Sequence, residues 1–205
     1  MTSFGYNVLG FNSHIPQAGS SIAQGLTPSL LTLSGQSQTN SSQLGNSNSF
    51  NLTNIGGVDY TGNSGRIVFH YQKGSSFTGD IQVYQIAVSG TNFNINSGML
   101  TFETSNAGNY SSYTTASFFG VGTSASGGLW VRDSNGTGSS NTGLTLTGEQ
   151  YFYAETSSPA ANTVGYNFWL RSPVVPLSSQ FPIMSFKDGR YGAGIGTLNV
   201  HLDIQ

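Results

Sequence analysis

Residues 66–88 read RIVFHYQKGSSFTGDIQVYQIAV, and this stretch decides the fold class. RIVFHYQ (66–72) is rich in β-branched and aromatic residues, and DIQVYQIAV (80–88) places apolar side chains on both faces of a strand. Between them, KGSSFTG (73–79) supplies the glycine and serine of a loop of hairpin length. The stretch therefore predicts two buried strands that form a hairpin, with Val83 and Ile86 on opposite faces of the second one.

Strand patterns continue on both sides of this stretch, separated by Gly, Ser and Asn clusters at the spacing of about 8–12 residues that is typical of β-sandwiches. No segment has the helical period, and each interior glycine would cost a helix about 1 kcal/mol. We therefore expect an all-β fold with an antiparallel β-sandwich. The segments are LTPSLLTLSG (26–35), FNLTNI (50–55), MLTFET (99–104), YSSYTTASFFGVG (110–122), GGLWVRDS (127–134), GLTLTGEQYFYAETSS (143–158), VGYNFWLRSPVV (164–175), FPIMSFKDG (181–189) and GTLNVHLDI (196–204).

The composition excludes several classes of partner. Charged residues make up 7% of the 205 residues, against about 25% in a typical soluble domain. The net charge of −2 gives no reason to expect nucleic acid or an anionic membrane as a partner. There is no cysteine, so disulfides, thiol chemistry and a cysteine-based zinc site are excluded.

The sequence shows no pattern typical of a secretory signal or of a membrane span. The N-terminal stretch MTSFGYNVLGFNSHIP (1–16) lacks a basic segment followed by an apolar one, and no run reaches the roughly 18 apolar residues of a membrane span. We expect a protein made in the cytoplasm of its host. Few Lys, Glu or Pro residues are available to protect exposed sheet edges, so the sequence favours a homo-oligomer or a larger assembly.

The N-terminal quarter divides from the rest by composition. Residues 1–49 are predicted to be an extended arm followed by the polar, low-complexity loop GQSQTNSSQLGNSNS (35–49), and residues 50–205 the sandwich domain. The apolar side chains of the arm need a partner surface, so we expect them to contact neighbouring subunits. They are Phe4, Tyr6, Val8, Leu9, Phe11 and Ile15.

The segment GGLWVRDSNGTGSSNTGLTLTGEQYFYAETSSP (127–159) resembles the opening of bacterial and viral members of the MAM-domain (concanavalin-like) jelly-roll family. Such domains begin with a tryptophan strand, here Trp130, and pass through a Gly/Ser/Thr-rich loop into an aromatic strand that ends in Glu-Thr-Ser, here 155–157. FWLRSPVVPLSS (168–179) and GIGTLNVHL (194–202) are similar to two further strands of the family. The resemblance implies a jelly roll with a role in adhesion or assembly.

The closing segment of that family is similar to residues 65–90, which here precede the opening one. The resemblance therefore implies a circularly permuted jelly roll, or one completed by strand exchange between subunits. Tyr84 and Gln85 stand where the family has an acidic pair, so no cation site is expected there. The lack of cysteine fits a bacterial or phage relative better than a receptor module.

No catalytic, cofactor or metal site is expected. His14, His70 and His201 are far apart in sequence, and no serine lies in a Gly-x-Ser-x-Gly turn. A sandwich-fold glycosidase would need two of the carboxylates within about 5–10 Å of each other, but no two of them are neighbours on one face of a strand, and turn roles are the simpler interpretation. The carboxylates are Asp59, Asp80, Glu103, Asp133, Glu149, Glu155, Asp188 and Asp203.

Two functions remain open. The first is a bacteriophage virion structural protein, a capsid decoration or cement protein that contacts the major capsid protein and copies of itself in the virion. The alternative is a tail-fibre or adhesin module that binds surface glycans. For it, Trp130, Trp169 and Tyr191 are the candidate stacking residues, with packing in the core as the competing role.

Overall fold

The protein is described by a computed structural model over residues 25–52, 54–55, 58–59, 64–89, 114–115, 130–134, 136–157, 163–172, 175–176 and 183–204. Every regular element in these residues is a β-strand, which confirms the all-β prediction. The strands are β1 (Gly25–Leu26), β2 (Leu31–Ser34), β3 (Asn46–Asn51), β4 (Asn54–Ile55), β5 (Val58–Asp59), β6 (Ser64–Gln72), β7 (Gln82–Ser89), β8 (Thr114–Thr115), β9 (Trp130–Asp133), β10 (Tyr151–Ala154), β11 (Asn167–Arg171), β12 (Val175–Pro176), β13 (Ile183–Gly189) and β14 (Thr197–Ile204).

Seven strands form the larger sheet, and all of its pairings are antiparallel. β14 and β6 are central. The outer side of β14 is lined by β1 and β2, the outer side of β6 by β11 and β12, and β8 pairs with β11. A smaller antiparallel sheet has the order β3-β13-β7-β10-β9, and β4 and β5 pair with each other and with no other described strand.

The main core lies between the two sheets. Along β14, Leu198, Val200 and Leu202 are fully buried while the side chains between them are half-exposed, as the period of a strand requires. The ring of Phe69 on β6 meets that of Phe186 on β13 edge to face, with centroids 5.2 Å apart. Side chains of both sheets therefore share one apolar cluster, and the architecture is sandwich-like.

A polar network attaches the edge strand β3 to β13 at one end of this core. The carboxylate of Asp188 is fully buried and accepts hydrogen bonds from Asn46 Nδ2 (3.2 Å), Asn48 Nδ2 (2.7 Å) and Arg190 Nε (2.6 Å). A buried charge is tolerated when it is paired and hydrogen-bonded in this way. Four side chains thus hold in place a strand that has little apolar surface of its own.

The structure differs from the predicted boundary at residue 49. β1, β2 and most of β3 precede residue 50 and pair within the two sheets. The stretch 35–49 shows no hydrophobic alternation because its inward side chains, Asn46 and Asn48, form hydrogen bonds with the Asp188 carboxylate instead of packing against apolar side chains. The first strand of the described residues therefore begins at Gly25, and the predicted arm residues lie outside the described part.

β6 and β7 are confirmed as strands, but the predicted hairpin between them is wrong. β6 belongs to the larger sheet and β7 to the smaller one, so the connection crosses from sheet to sheet. It is held by the Tyr71 hydroxyl, which donates to the Gly79 carbonyl (2.6 Å) and accepts from the Gly196 N–H (2.9 Å). A Cβ on Gly196 would lie 1.9 Å from the carbonyl oxygen of Gln72, so only glycine lets the two loops pack this closely.

A β-bulge changes the phase of β7. Ser185 of β13 pairs with Ala87, whereas Lys187 pairs with Tyr84, so β7 carries one extra residue at this point. Gln85 takes up the irregularity with a φ of 48°. Because of the extra residue, Val83 and Ile86 both enter the main core, which corrects the prediction that they lie on opposite faces.

Candidate functional site

A loop rich in glycine and hydroxyl side chains connects β9 to β10 and forms one wall of a surface cleft. Gly136, Gly138 and Gly143 have φ values of 104°, 76° and 69°, and Asn141 has 61°. Left-handed backbone of this kind is accessible to glycine and to asparagine at low cost. The sequence GTGSSNTG (136–143) therefore places these residue types where the loop turns.

Buried hydroxyl groups fix the loop to the sandwich. The Thr142 Oγ1 accepts a hydrogen bond from the backbone N–H of Asp80 (2.9 Å). The Tyr151 hydroxyl accepts from the N–H of Gly136 and donates to its carbonyl. Thr137 and Thr142 are 2% and 5% exposed, so the loop is anchored at both ends although its tip reaches solvent.

A second apolar cluster supports the cleft from below. It contains Tyr84, Leu144, Leu146, Tyr151 and Tyr153, all buried, and the half-buried ring of Tyr191 packs against it. Backbone bonds then close the walls: Gly143 N–H donates to the Tyr191 carbonyl (2.8 Å) and Thr145 N–H to the Ser41 carbonyl (2.7 Å). The cleft is thus assembled from three separate parts of the chain.

The cleft has a volume of about 380 Å³ and is lined by Ser41, residues 136–143, Thr145 and Tyr191. Hydroxyl, amide and backbone groups make up the lining together with one aromatic ring, and none of these side chains is charged. Ser140, Asn141 and Thr145 are exposed to solvent. Such a lining offers many neutral hydrogen-bond donors and acceptors.

Asp80 lies next to the anchored loop but is inaccessible. Its side chain is 0% exposed, and Oδ1 accepts from the N–H (2.9 Å) and the Oγ1 (2.7 Å) of Thr156, while Oδ2 has no partner among the described residues. Burial raises the pKa of this carboxyl, although the backbone N–H of Thr156 and the hydroxyls of Thr137 and Thr156 act in the opposite direction. The carboxyl joins the start of β7 to the end of β10 and has no access to a ligand.

The three predicted stacking residues lie in three different places. Trp130 is 4% exposed and belongs to the main core, so it offers no exposed ring, and the prediction for this residue is corrected. Trp169 is half-buried on the outer face of the larger sheet. Tyr191 alone of the three lines the cleft.

On that outer face, Trp169 stacks on His70 with ring centroids 3.7 Å apart and planes 5° from parallel. His70 Nε2 forms a 2.8 Å hydrogen bond with Asn167 Oδ1. Burial lowers the pKa of His70; the hydrogen bond with Asn167 acts in the opposite direction, and the nearby His201 lowers the pKa further. The net shift favours the neutral imidazole, as expected for a ring stacked on Trp169.

Among the described residues, no group of three or more His, Asp or Glu side chains could hold a metal ion. The cleft itself was not predicted from the sequence. The sequence feature that could have indicated it is the spacing of Gly136, Gly138, Asn141 and Gly143, which is typical of a tightly turned loop. That spacing does not predict which other residues, here Ser41 and Tyr191, complete the cleft.

In the described residues the chain is an all-β protein in which two antiparallel sheets pack together. A neutral, hydroxyl-lined cleft lies beside the loop between β9 and β10. Comparison of the chain with models of known families, with curated proteins and with solved structures found no match. Within the described residues, no helix is long and apolar enough to cross a membrane.

Proposed function

We propose that the protein is a non-enzymatic structural component of a bacteriophage virion, a capsid decoration or cement protein that acts through noncovalent contacts between sheet edges. It is assembled in the host cytoplasm and contacts the major capsid protein and copies of itself. The observation that carries the proposal is the pair of edge strands β2 and β3, neither of which contains a charged residue.

These two strands end their sheets. β2 pairs with β14 and β3 with β13, and no described strand pairs with the opposite edge of either one. Backbone N–H and carbonyl groups on such edges are a template for pairing with another chain. A short polar segment connects β2 to β3, so both open edges belong to consecutive strands.

Natural sheet edges are usually protected by Lys, charged inward-pointing residues or Pro. β2 is LTLS and β3 is NSNSFN, and neither contains such a residue. In fact no Asp, Glu, Lys or Arg precedes Asp59 in the chain. A β-rich protein with edges of this kind is best stabilised when neighbouring subunits cover them, as in a virion.

The order of the strands supports a jelly roll as the finer description of the fold. In a jelly roll of eight strands, the first, eighth, third and sixth form one sheet, and the second, seventh, fourth and fifth form the other. Here β2-β14-β6-β11 and β3-β13-β7-β10 follow these two orders within one chain. The jelly roll that we propose therefore needs neither circular permutation nor strand exchange, and this order argues against both expectations.

The resemblance of residues 127–159 to MAM-like modules of phage proteins supplies the virion setting. It is an analogy from fold to role. Asp80 and Asp188, which are fully buried, are occupied by structural hydrogen bonds and so are not accessible to a substrate.

The edge can be tested with the double variant Ser47→Lys/Ser49→Lys, which places two charges on exposed positions of β3. Gln72→Lys/Asn163→Lys adds the same charge at exposed positions away from this edge and serves as the matched control. Incorporation into particles is measured by electron microscopy with antibody labelling, and self-association by sedimentation velocity. We expect the β3 variant to lose labelling and self-association at least tenfold, because the added charges would have to be desolvated in the interface.

The control variant should label the whole capsid as the unmodified protein does. Equal incorporation of both variants would remove the edge from the proposal. Labelling confined to the tail tip would contradict a decoration role and would favour a receptor-binding one.

A further inference from the structure

We propose that the cleft beside Tyr191 is a binding site for a neutral saccharide. This inference goes beyond the structural role proposed above and does not depend on it. It rests on the chemistry of the lining, on the state of the Tyr191 ring and on the way in which the loop is fixed.

The lining selects a ligand that is polar but uncharged. Ser139, Ser140, Asn141 and Thr145 present hydroxyl and amide groups at the mouth of the cleft, and no lining side chain carries charge. A phosphate, sulfate or carboxylate ligand would lack a cation to pair with, which such ligands usually require. A sugar instead offers neutral hydroxyls that both donate and accept hydrogen bonds, and this matches the lining.

Tyr191 provides the apolar surface that a sugar ring also needs. Its ring is half-buried against the second apolar cluster and borders the cleft. A flat ring with a polar tip beside hydroxyl groups can stack on the C–H face of a sugar and bond to one of its hydroxyls.

The site is organised before a ligand arrives. The Thr142 hydroxyl accepts a hydrogen bond from the buried N–H of Asp80, and the Tyr151 hydroxyl bonds the loop at Gly136. Asn141, which is exposed, has a left-handed backbone. A loop that is already fixed loses little conformational entropy on binding. The volume of about 380 Å³ lies near the lower end of the usual range for ligand sites, roughly 300–1,000 Å³, which suits one or two sugar units.

The test begins with the full-length protein on an array of neutral and acidic glycans, where dense display allows weak binding to register. The best neutral oligosaccharide is then titrated by calorimetry against Tyr191→Ala, Tyr191→Phe, Asn141→Gly and Trp169→Ala. We expect Tyr191→Ala to bind at least about tenfold more weakly and Asn141→Gly about fivefold, the latter being the effect of one lost hydrogen bond.

Trp169→Ala is the control. Trp169 lies on the outer face of the larger sheet and outside the cleft, so this substitution should leave the dissociation constant for the glycan unchanged. Asn141→Gly preserves the left-handed backbone, so it separates loss of the amide from loss of the loop. If circular dichroism shows that Tyr191→Ala is unfolded, the affinities of Tyr191→Phe and Asn141→Gly together test whether the sugar binds in the cleft.

The proposal is overturned if no neutral glycan binds, if only acidic glycans bind, or if the Tyr191 and Asn141 variants bind as tightly as the unmodified protein. A loss that occurs with Trp169→Ala instead would assign the sugar to the outer face of the larger sheet. The Ser47→Lys/Ser49→Lys variant should keep its glycan binding, so failure of the edge and failure of the cleft can be told apart.

Discussion

At the scale of single residues, the polar groups that matter most are the buried ones. Asp188 is matched by three donors, whereas Asp80 has two bonds on Oδ1 and none on Oδ2 within the described residues. Leaving one oxygen of a buried carboxylate unpaired is costly when the group is ionised. The burial of Asp80 is therefore less well compensated by hydrogen bonds than that of Asp188.

Asp80→Asn should change how stability depends on pH. Because burial raises the pKa of Asp80 in the folded state above its ordinary value of 3.8, the folded protein favours the protonated form. The unmodified protein thus has this contribution in full below pH 3.8 and loses it as the pH rises through the folded-state pKa, by up to about 1.4 kcal/mol per pH unit. We expect Asp80→Asn to gain stability relative to the unmodified protein between pH 4 and pH 7, measured by urea unfolding. Parallel curves for the two proteins over that interval would contradict this assignment.

Residue type alone could not separate the three predicted stacking aromatics. Trp130, Trp169 and Tyr191 all stand in strand-like or loop-like contexts, yet one is in the core, one on an outer face and one at the cleft. Burial depends on which strands become neighbours, and that is not encoded in the residues next to each ring. The sequence therefore supplied the candidate Tyr191 but not its surroundings.

At the scale of elements, alternation located strands well and paired them poorly. β9, β10, β11, β13 and β14 lie within the predicted segments, and β6 and β7 extend past theirs by two residues and one residue, because a half-buried strand leaves a period of two in its own sequence. The partner of a strand is a long-range choice, and β6 pairs with β14 from the far end of the chain. β3 escaped prediction up to residue 49 because its inward amides bind a carboxylate.

The bulge in β7 leads to a prediction about Gln85. In a regular strand, Gly is less stable than Ala by about 0.5–1 kcal/mol, but a left-handed φ costs a non-glycine residue about 1–2 kcal/mol. Gln85→Gly should therefore be more stable than Gln85→Ala by about 1 kcal/mol, since both lose the bond to Glu149 and only Gly accepts a φ of 48° without strain. Urea unfolding of the two variants measures the difference.

The same pair of substitutions at Asn199, a regular position on β14, provides the comparison. There Ala should be the more stable of the two. If Ala were also favoured at position 85, the backbone in solution would not have the bulge, and Val83 and Ile86 would not share a face.

At the scale of the whole molecule, the first and last described strands lie side by side. β1 and β2 both pair with β14, so the described part of the chain enters the larger sheet beside the strand with which it ends. β2 is also one of the two edge strands that we propose as the subunit contact.

The arm can be separated from the sandwich by experiment. Every member of the described main core lies at or after Leu30, so deletion of residues 1–15 removes no core side chain that the structure describes. We expect the truncated protein to lose incorporation into particles but to melt within a few degrees of the full chain. A loss of less than about 1 kcal/mol shifts the melting midpoint by only about 2–4 °C at this size.

The matched control keeps the length of the arm and removes its apolar groups. It replaces six residues by serine in the full-length protein: Phe4, Tyr6, Val8, Leu9, Phe11 and Ile15. Incorporation that survives both changes would leave the β2–β3 side as the contact that assembles the protein, whereas a large drop in melting temperature would make the arm part of the fold.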